Sequence, residues 1–303
     1  MIVTPAVLTT LKTGFKGEYQ NGLTLAESVY DKVATRVPSA TASNTYGWLG
    51  QFPQFREWIG ERVIRDMAAK GYQITNKLFE STVGVKRTDI EDDNLGIYAP
   101  LFQEMGRAAA VYPDELVFAL LKEGTASACY DGQYFFDTDH PVFPNVDGTG
   151  VATTVANYDN GGAAPGAAWY LLDTSRAIKP LIFQERTKPE LQALTATDDE
   201  AVFMKDEYRY GVRARSNVGF GFWQMAYCSK KPLDSNSFNA AVEAMMSFKA
   251  DGGRPLGIKP TLLVVPPTLR AAALEVVKAE RLANGATNTN RDVVDVLVTP
   301  WVM

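Results

Sequence analysis

The sequence is poor in the residues that most often carry chemistry. Histidine occurs once in 303 residues, at His140, and cysteine twice, at Cys129 and Cys228. A single imidazole excludes paired-histidine metal motifs and leaves His140 as the one residue able to complete a Ser-His-Asp relay. The cysteines are far apart and form no Cys-x-x-Cys pair, so a zinc ribbon or a dithiol redox site is not expected, and two reduced, buried thiols are. The Walker phosphate loop and the Gly-x-Ser-x-Gly elbow are missing. An excess of positive charge is missing too. With 35 acidic against 30 basic side chains the net charge is -5, which excludes the strongly basic face that specific nucleic-acid binders use to displace counterions. Met1-Ile-Val-Thr-Pro5 lacks the basic start and apolar run of a signal peptide, and no hydrophobic run approaches the length of a bilayer span. The expectation is a cytosolic protein without a membrane partner.

Each local cluster that invites a chemical reading has a plainer one. Asp137-Thr-Asp139-His140-Pro141 offers oxygen and imidazole ligands for a metal hydrolase, but as a turn its aspartates cap backbone donors. On that reading His140→Ala costs within about 0.5 kcal/mol. Gly219-Phe-Gly221-Phe-Trp223 lacks the third glycine and the helix start of a phosphate cradle, and reads as a packed strand. Glu91-Asp92-Asp93 suits a solvated helix start better than a cation site. The aromatic pair Trp169-Tyr170, like Phe220, Phe222 and Trp223, is expected in the core. The sequence therefore predicts no catalytic, cofactor-binding or metal-ligating residue and no cofactor.

What is present is enough to fold: 46% of the residues are hydrophobic, and a chain of this size hides roughly three quarters of its unfolded surface. Thr4 and Pro5 start a helix striped by Val7, Leu8, Leu11 and Phe15. Thr24-Leu-Ala-Glu27 is spaced as a capping box before Val29, Val33 and Val37, with Pro38 as the stop. Glu61 to Arg87 reads as a long β-hairpin turning at Ala68-Ala-Lys70-Gly71. Its return strand changes phase between Tyr72, Ile74, Leu78 and Phe79, Val83, Val85, as a bulge or bend would require. Lys70 at the tip is a solubilising residue. A helical region follows from Thr88, itself in a possible capping box with Glu91, to Glu123, striped by Leu95, Tyr98, Phe102, Met105, Ala109 and Tyr112. In it Pro100 sits in the first turn and Pro113 opens a second helix.

Pro141 to Pro165 is rich in turn residues and reads as a surface loop. Trp169 to Tyr227 reads as antiparallel strands, the stretch Val212 to Tyr227 as one of them. The last third reads as an α/β unit. It has a helix through Phe238, Val242 and Met245 ending at Asp251-Gly252-Gly253, the buried strand Leu262–Val265, a helix after Pro267 running to Asn284-Gly285, and a final strand Val293 to Val298. The amphipathic stripes of the first fifty residues and the thin hairpin cannot bury themselves locally, so neighbouring copies are expected to supply the missing contacts.

Several strings are familiar. Ser43-Asn-Thr-Tyr-Gly-Trp-Leu-Gly50, Thr82-Val-Gly-Val85, Glu91-Asp-Asp-Asn-Leu-Gly-Ile-Tyr-Ala-Pro100, Phe102-Gln-Glu-Met-Gly106, Tyr130-Asp-Gly-Gln133, Tyr170-Leu-Leu-Asp173, Ile182-Phe-Gln184 and Gly221-Phe-Trp-Gln-Met225 run in order along nearly the whole chain. Together they resemble the major head subunits of Mu-like phages and prophages. The resemblance implies an α+β fold, the tailed-phage major capsid fold often called Hong Kong ninety-seven-like. Its parts would be an N-terminal arm at 1–50, an E-loop hairpin at 51–88, a spine helix with part of the peripheral domain at 89–145, and a flexible loop at 146–168. A strand-rich peripheral sheet at 169–230 and an α/β axial domain at 231–303 would complete it.

The implied function is a non-enzymatic shell protein located in the virion capsid and assembled in the bacterial host cytoplasm. Copies would join as pentamers and hexamers of an icosahedral head, with scaffold, portal and decoration proteins as partners and double-stranded DNA packaged inside without specific contacts. A nanocompartment shell of the same fold is the alternative.

Overall fold

Thr4 and Pro5 open the first helix as their chemistry requires: the Thr4 hydroxyl accepts from the Val7 amide, and Pro5 occupies a position where a missing N–H costs nothing. The structure, a computed structural model, describes residues 2–49, 71–92, 95–196, 198–282 and 285–303. Its elements are α1 (Pro5–Leu25), β1 (Ala34–Pro38), β2 (Ser43–Tyr46), β3 (Tyr72–Thr75), β4 (Lys77–Lys86), α2 (Arg87–Glu91), α3 (Ala99–Lys122), β5 (His140–Val142), β6 (Thr153–Val155), β7 (Tyr158–Asp159), β8 (Trp169–Leu172), β9 (Leu181–Leu194), α4 (Glu200–Lys205), β10 (Glu207–Phe220), β11 (Ala226–Ser229), α5 (Ser235–Met246), β12 (Leu262–Val265), α6 (Arg270–Val277) and β13 (Asp295–Val298). Short 3-10 turns join several of them.

Two sheets organise the chain. One has the order β1-β9-β10-β4, with β1 parallel to β9 and the other pairs antiparallel. The other has the order β13-β12-β8-β11-β7, and all four residues of both β8 and β12 are buried, as the apolar run Leu262–Val265 requires. Helix α3, 24 residues long and so about 36 Å, joins their cores. Its first half gives Phe102 and Met105 to a core with Leu8, Phe15, Tyr19, Val85 and Tyr210. Its second half gives Val117, Phe118 and Leu121 to the larger core around the second sheet. Phe15 stacks on Phe102 at 4.2 Å and meets Tyr210 edge-on at 5.1 Å. Helix α1 lies on α3 with backbone against backbone, because a Cβ on Gly22 would overlap the Gln103 carbonyl and one on Gly106 the Tyr19 carbonyl.

The structure corrects several expectations. Thr24 and Glu27 do not start a helix: the Thr24 hydroxyl bonds back to the Gln20 carbonyl within α1. Val29 and Val33 flank a 3-10 turn at Tyr30–Lys32, and Thr35 and Val37 enter β1, since pairing with β9 serves β-branched residues better than a helix does. Residues 2–49 thus contribute to the subunit's own cores and sheets. Thr88 does not cap either, because α2 begins at Arg87 with Lys86 as its N-cap and no side-chain bond there. Pro100 does sit in the first turn of α3, but Pro113 lies inside that helix. The lost hydrogen bond is outweighed by the buried stripe from Met105 to Leu121, which needs one rod. The stretch Val212 to Tyr227 is two strands in different sheets, the Gly221 amide bonding the Pro180 carbonyl where the chain crosses over.

The block 169–230 is likewise not one sheet, and a boundary at 230 separates β8 and β11 from their sheet partners β12 and β13. The segment 146–168 contains β6, β7 and the fully buried Asn157, so it is more than a surface loop. α5 ends at Met246 and α6 at Val277, both earlier than expected.

The first strand of the expected hairpin, its tip and Lys70 lie outside the described residues. The return strand is present as β3 and β4, and its change of phase falls at Asn76, where the chain passes from one sheet to another. There the Asn76 amide donates to the Ala42 carbonyl and its side chain to Ser39 Oγ and the Thr41 carbonyl. Leu78 is exposed rather than buried with Ile74.

Candidate functional site

His140 is neither exposed nor in a turn. It opens β5, is fully buried, and stacks on Trp223 with ring centres 4.0 Å apart and planes at 9°. Its Nδ1 lies 2.7 Å from Asp131 Oδ2 and its Nε2 3.2 Å from Asn157 Oδ1. The Asn157 amide is itself fixed: Nδ2 donates to the Phe135, Trp223 and Ala226 carbonyls, so Oδ1 is the atom turned to the imidazole and to the Asp137 amide. Nε2 is therefore the donor to Asn157, and Nδ1 is the nitrogen left facing Asp131.

Asp131 stands in a tight turn between Cys129 and Gln133 closed by the Cys129 amide on the Gln133 carbonyl, with Gly132 at a φ of 93°. The Cys129 thiol donates to Asp131 Oδ1 at 3.0 Å, and the Gln133 amide to the same oxygen at 3.1 Å. Burial alone would raise the Asp131 carboxyl, but hydrogen bonds from His140 and Cys129 outweigh it and hold the group below its ordinary value. Burial, and then the neighbouring Asp131 charge, push the Cys129 thiol well up.

The sequence paired His140 with Asp137 and Asp139, and the structure does not. Asp137 accepts from the Tyr134 and Thr138 amides and Asp139 is exposed, while both imidazole nitrogens point elsewhere. Glu91 bonds Arg87 at 3.1 Å, and Asp93 lies outside the described residues. Gly219 belongs to β10 and Gly221 to the crossover, and Trp169, Tyr170, Phe220, Phe222 and Trp223 are core residues. Cys228 is buried in β11. Among the described residues no helix is long and apolar enough to cross a membrane.

Two features of the surface and its supports escaped the sequence reading. The β2–β3 ladder sets Tyr46 opposite Tyr72. Gln184 of β9 fastens that ladder: its Oε1 accepts from the Tyr46 hydroxyl at 2.8 Å, and its Nε2 donates to the Ile74 carbonyl and Asn76 Oδ1. Gln184→Leu should cost about 1–3 kcal/mol in chemical denaturation, because it orphans buried partners on both strands. The second feature is α4, between the long strands β9 and β10, where Phe203 is 82% and Met204 70% exposed. The sequence signal was available in two large apolar residues within Asp198-Asp-Glu-Ala-Val-Phe-Met-Lys205.

A family model described as "Mu-like prophage major head subunit gpT" matches residues 8–302. The major capsid protein of Escherichia phage Mu is 53% identical over 292 residues, covering 96% of each chain. Among solved structures, the procapsid of bacteriophage JBD30 aligns with a TM-score of 0.87 at 68% identity, covering 99% of this chain and 100% of that one. The capsid of bacteriophage JBD30 decorated with minor capsid protein trimers aligns with a TM-score of 0.77 at 48% identity, over 100% of both chains.

Proposed function

Since this chain belongs to the Mu-like prophage major head subunit family, we propose that it builds a phage head through surfaces its own fold leaves uncovered, with no catalytic step. It is a phage major capsid protein with the α+β tailed-phage capsid fold, a structural component of the virion capsid that assembles with copies of itself. The finer reading is pentamers and hexamers around double-stranded DNA, formed in the host cytoplasm with scaffold and portal proteins. The decorated JBD30 capsid supports a similar trimeric minor protein on the outside of this shell.

In domain terms, the four-stranded sheet with α3 corresponds to the peripheral domain, the five-stranded sheet with α5 and α6 to the axial domain, and the segment between Leu49 and Gly71 to the E-loop.

The observation that carries the assembly reading is α4. Two large apolar side chains sit in water at the junction of the two longest strands among the described residues, an arrangement expected where a second copy covers them. The double change Phe203→Asp and Met204→Asp should leave the melting temperature of the subunit nearly unchanged, since exposed substitutions usually stay within about 0.5 kcal/mol. It should abolish shells in electron micrographs under conditions where the parent forms them. Normal shells from the double variant would remove α4 from the contact.

A further inference from the structure

The cluster around His140 is more than a packed polar group. Three different donor atoms, Cys129 Sγ, an Asp131 oxygen and a His140 ring nitrogen, all lie within 4.8 Å of one another. This donor set is the mixed thiolate, imidazole and carboxylate chemistry that suits zinc, a borderline-soft cation without a geometric preference of its own. We propose that Cys129, Asp131 and His140 bind one zinc ion per subunit, with His140 bonding through Nδ1.

The arrangement supports each part of that assignment. A ligating histidine needs its other nitrogen held, and Asn157 Oδ1 holds Nε2 while three carbonyls hold Asn157 in turn. Cys129 and Asp131 come from one tight turn, so their relative positions are set by backbone bonds rather than by long side chains. Zinc bonds of about 2.0–2.3 Å in a tetrahedron place ligand atoms roughly 3.3–3.8 Å apart. Sγ and Nδ1 now contact different oxygens of Asp131, at 3.0 and 2.7 Å, and the three ligand atoms lie within 4.8 Å of one another, so converging on one ion takes shifts of about one ångström.

Among the described residues, a recess of about 340 Å3 lined by Gly71, Tyr72 and Gln73 on one side and by Cys129 to Gly132 on the other borders the turn that carries Cys129 and Asp131.

Binding balances without any change of oxidation state. The zinc ion forms bonds to sulfur, nitrogen and oxygen, each proton carried by a ligand atom leaves to solvent, and no electrons move. Affinity therefore rises with pH. The buried thiol, held protonated without the ion, becomes a thiolate once the cation supplies the compensating charge.

The test uses the full chain, purified, stripped with a chelator and titrated with cobalt(II) as a spectroscopic probe, then with zinc in competition. The proposal expects about one cobalt per chain, a thiolate-to-cobalt charge-transfer band, and displacement of that band by one equivalent of zinc. Cys129→Ser should lose the band and bind zinc at least about tenfold more weakly, Asp131→Asn should weaken binding similarly, and Cys228→Ser should behave as the parent. Melts on each variant show that it is folded. A parent protein without a saturable charge-transfer band overturns the proposal whatever the variants do, and so does a Cys129→Ser protein that keeps it.

Discussion

His140→Ala should destabilise the subunit by about 3 kcal/mol, the top of the range for leaving a buried polar group without its hydrogen-bond partner. The change removes the group that faces the Asp131 carboxylate, orphans Asn157 Oδ1 on that side and leaves the Trp223 face unpacked. Each loss is independent of assembly, so it should appear as a lowered denaturation midpoint in the dissociated subunit. The expectation of a harmless turn substitution, drawn from the sequence, fails for that reason. A variant within 0.5 kcal/mol of the parent would restore the turn reading.

The same pair fixes a pH effect. The folded Asp131 carboxyl lies below its ordinary value, so the native state holds fewer protons than the unfolded chain in the window between the two. Its contribution is full above the unfolded value and is lost as pH falls through the depressed folded one. Asp131→Asn should flatten that part of the acid limb in denaturation curves recorded at a series of pH values, and an unchanged limb would remove Asp131 as a source of acid sensitivity.

How much of this was legible in the sequence depended on whether the signal was local. The Thr4-Pro5 cap, the buried run Leu262–Val265 and the aromatic core residues announce themselves through nearest neighbours, and all are where local chemistry puts them. The capping-box pattern at Thr24 failed because Thr35 and Val37 had a strand partner nearly 150 residues away, β9, which no local rule sees. Pro113 failed in the opposite sense, a local breaker overruled by packing on both of its sides.

The His140 cluster was misassigned for the same reason. The sequence offered Asp137 and Asp139 three and one residues away, whereas the structure uses Asp131 and Asn157, brought in by a turn and a hairpin. The family resemblance rests on long ordered strings and did not depend on any of these local signals.

The subunit should fold on its own cores and associate through segments beyond them. Replacing residues 51–70 with a short Gly-Ser linker tests this, and the structure decides where the cuts belong. A deletion reaching Lys86 would remove β4, whose Val85 is fully buried and whose ten residues pair with β10, and would unfold the subunit. Cutting at 51 and 70 keeps the Tyr46–Tyr72 ladder and the Gln184 clasp, which hold the two ends side by side. A short linker then closes the gap at little entropic cost, since each doubling of loop length changes the free energy by only about 0.6 kcal/mol. Sedimentation velocity of parent and variant under assembly conditions, beside a thermal melt of each, is the measurement. Overlapping melts are expected, with fast-sedimenting shells from the parent and only small species from the variant; shells of normal size from the variant would show that residues 51–70 take no part in assembly.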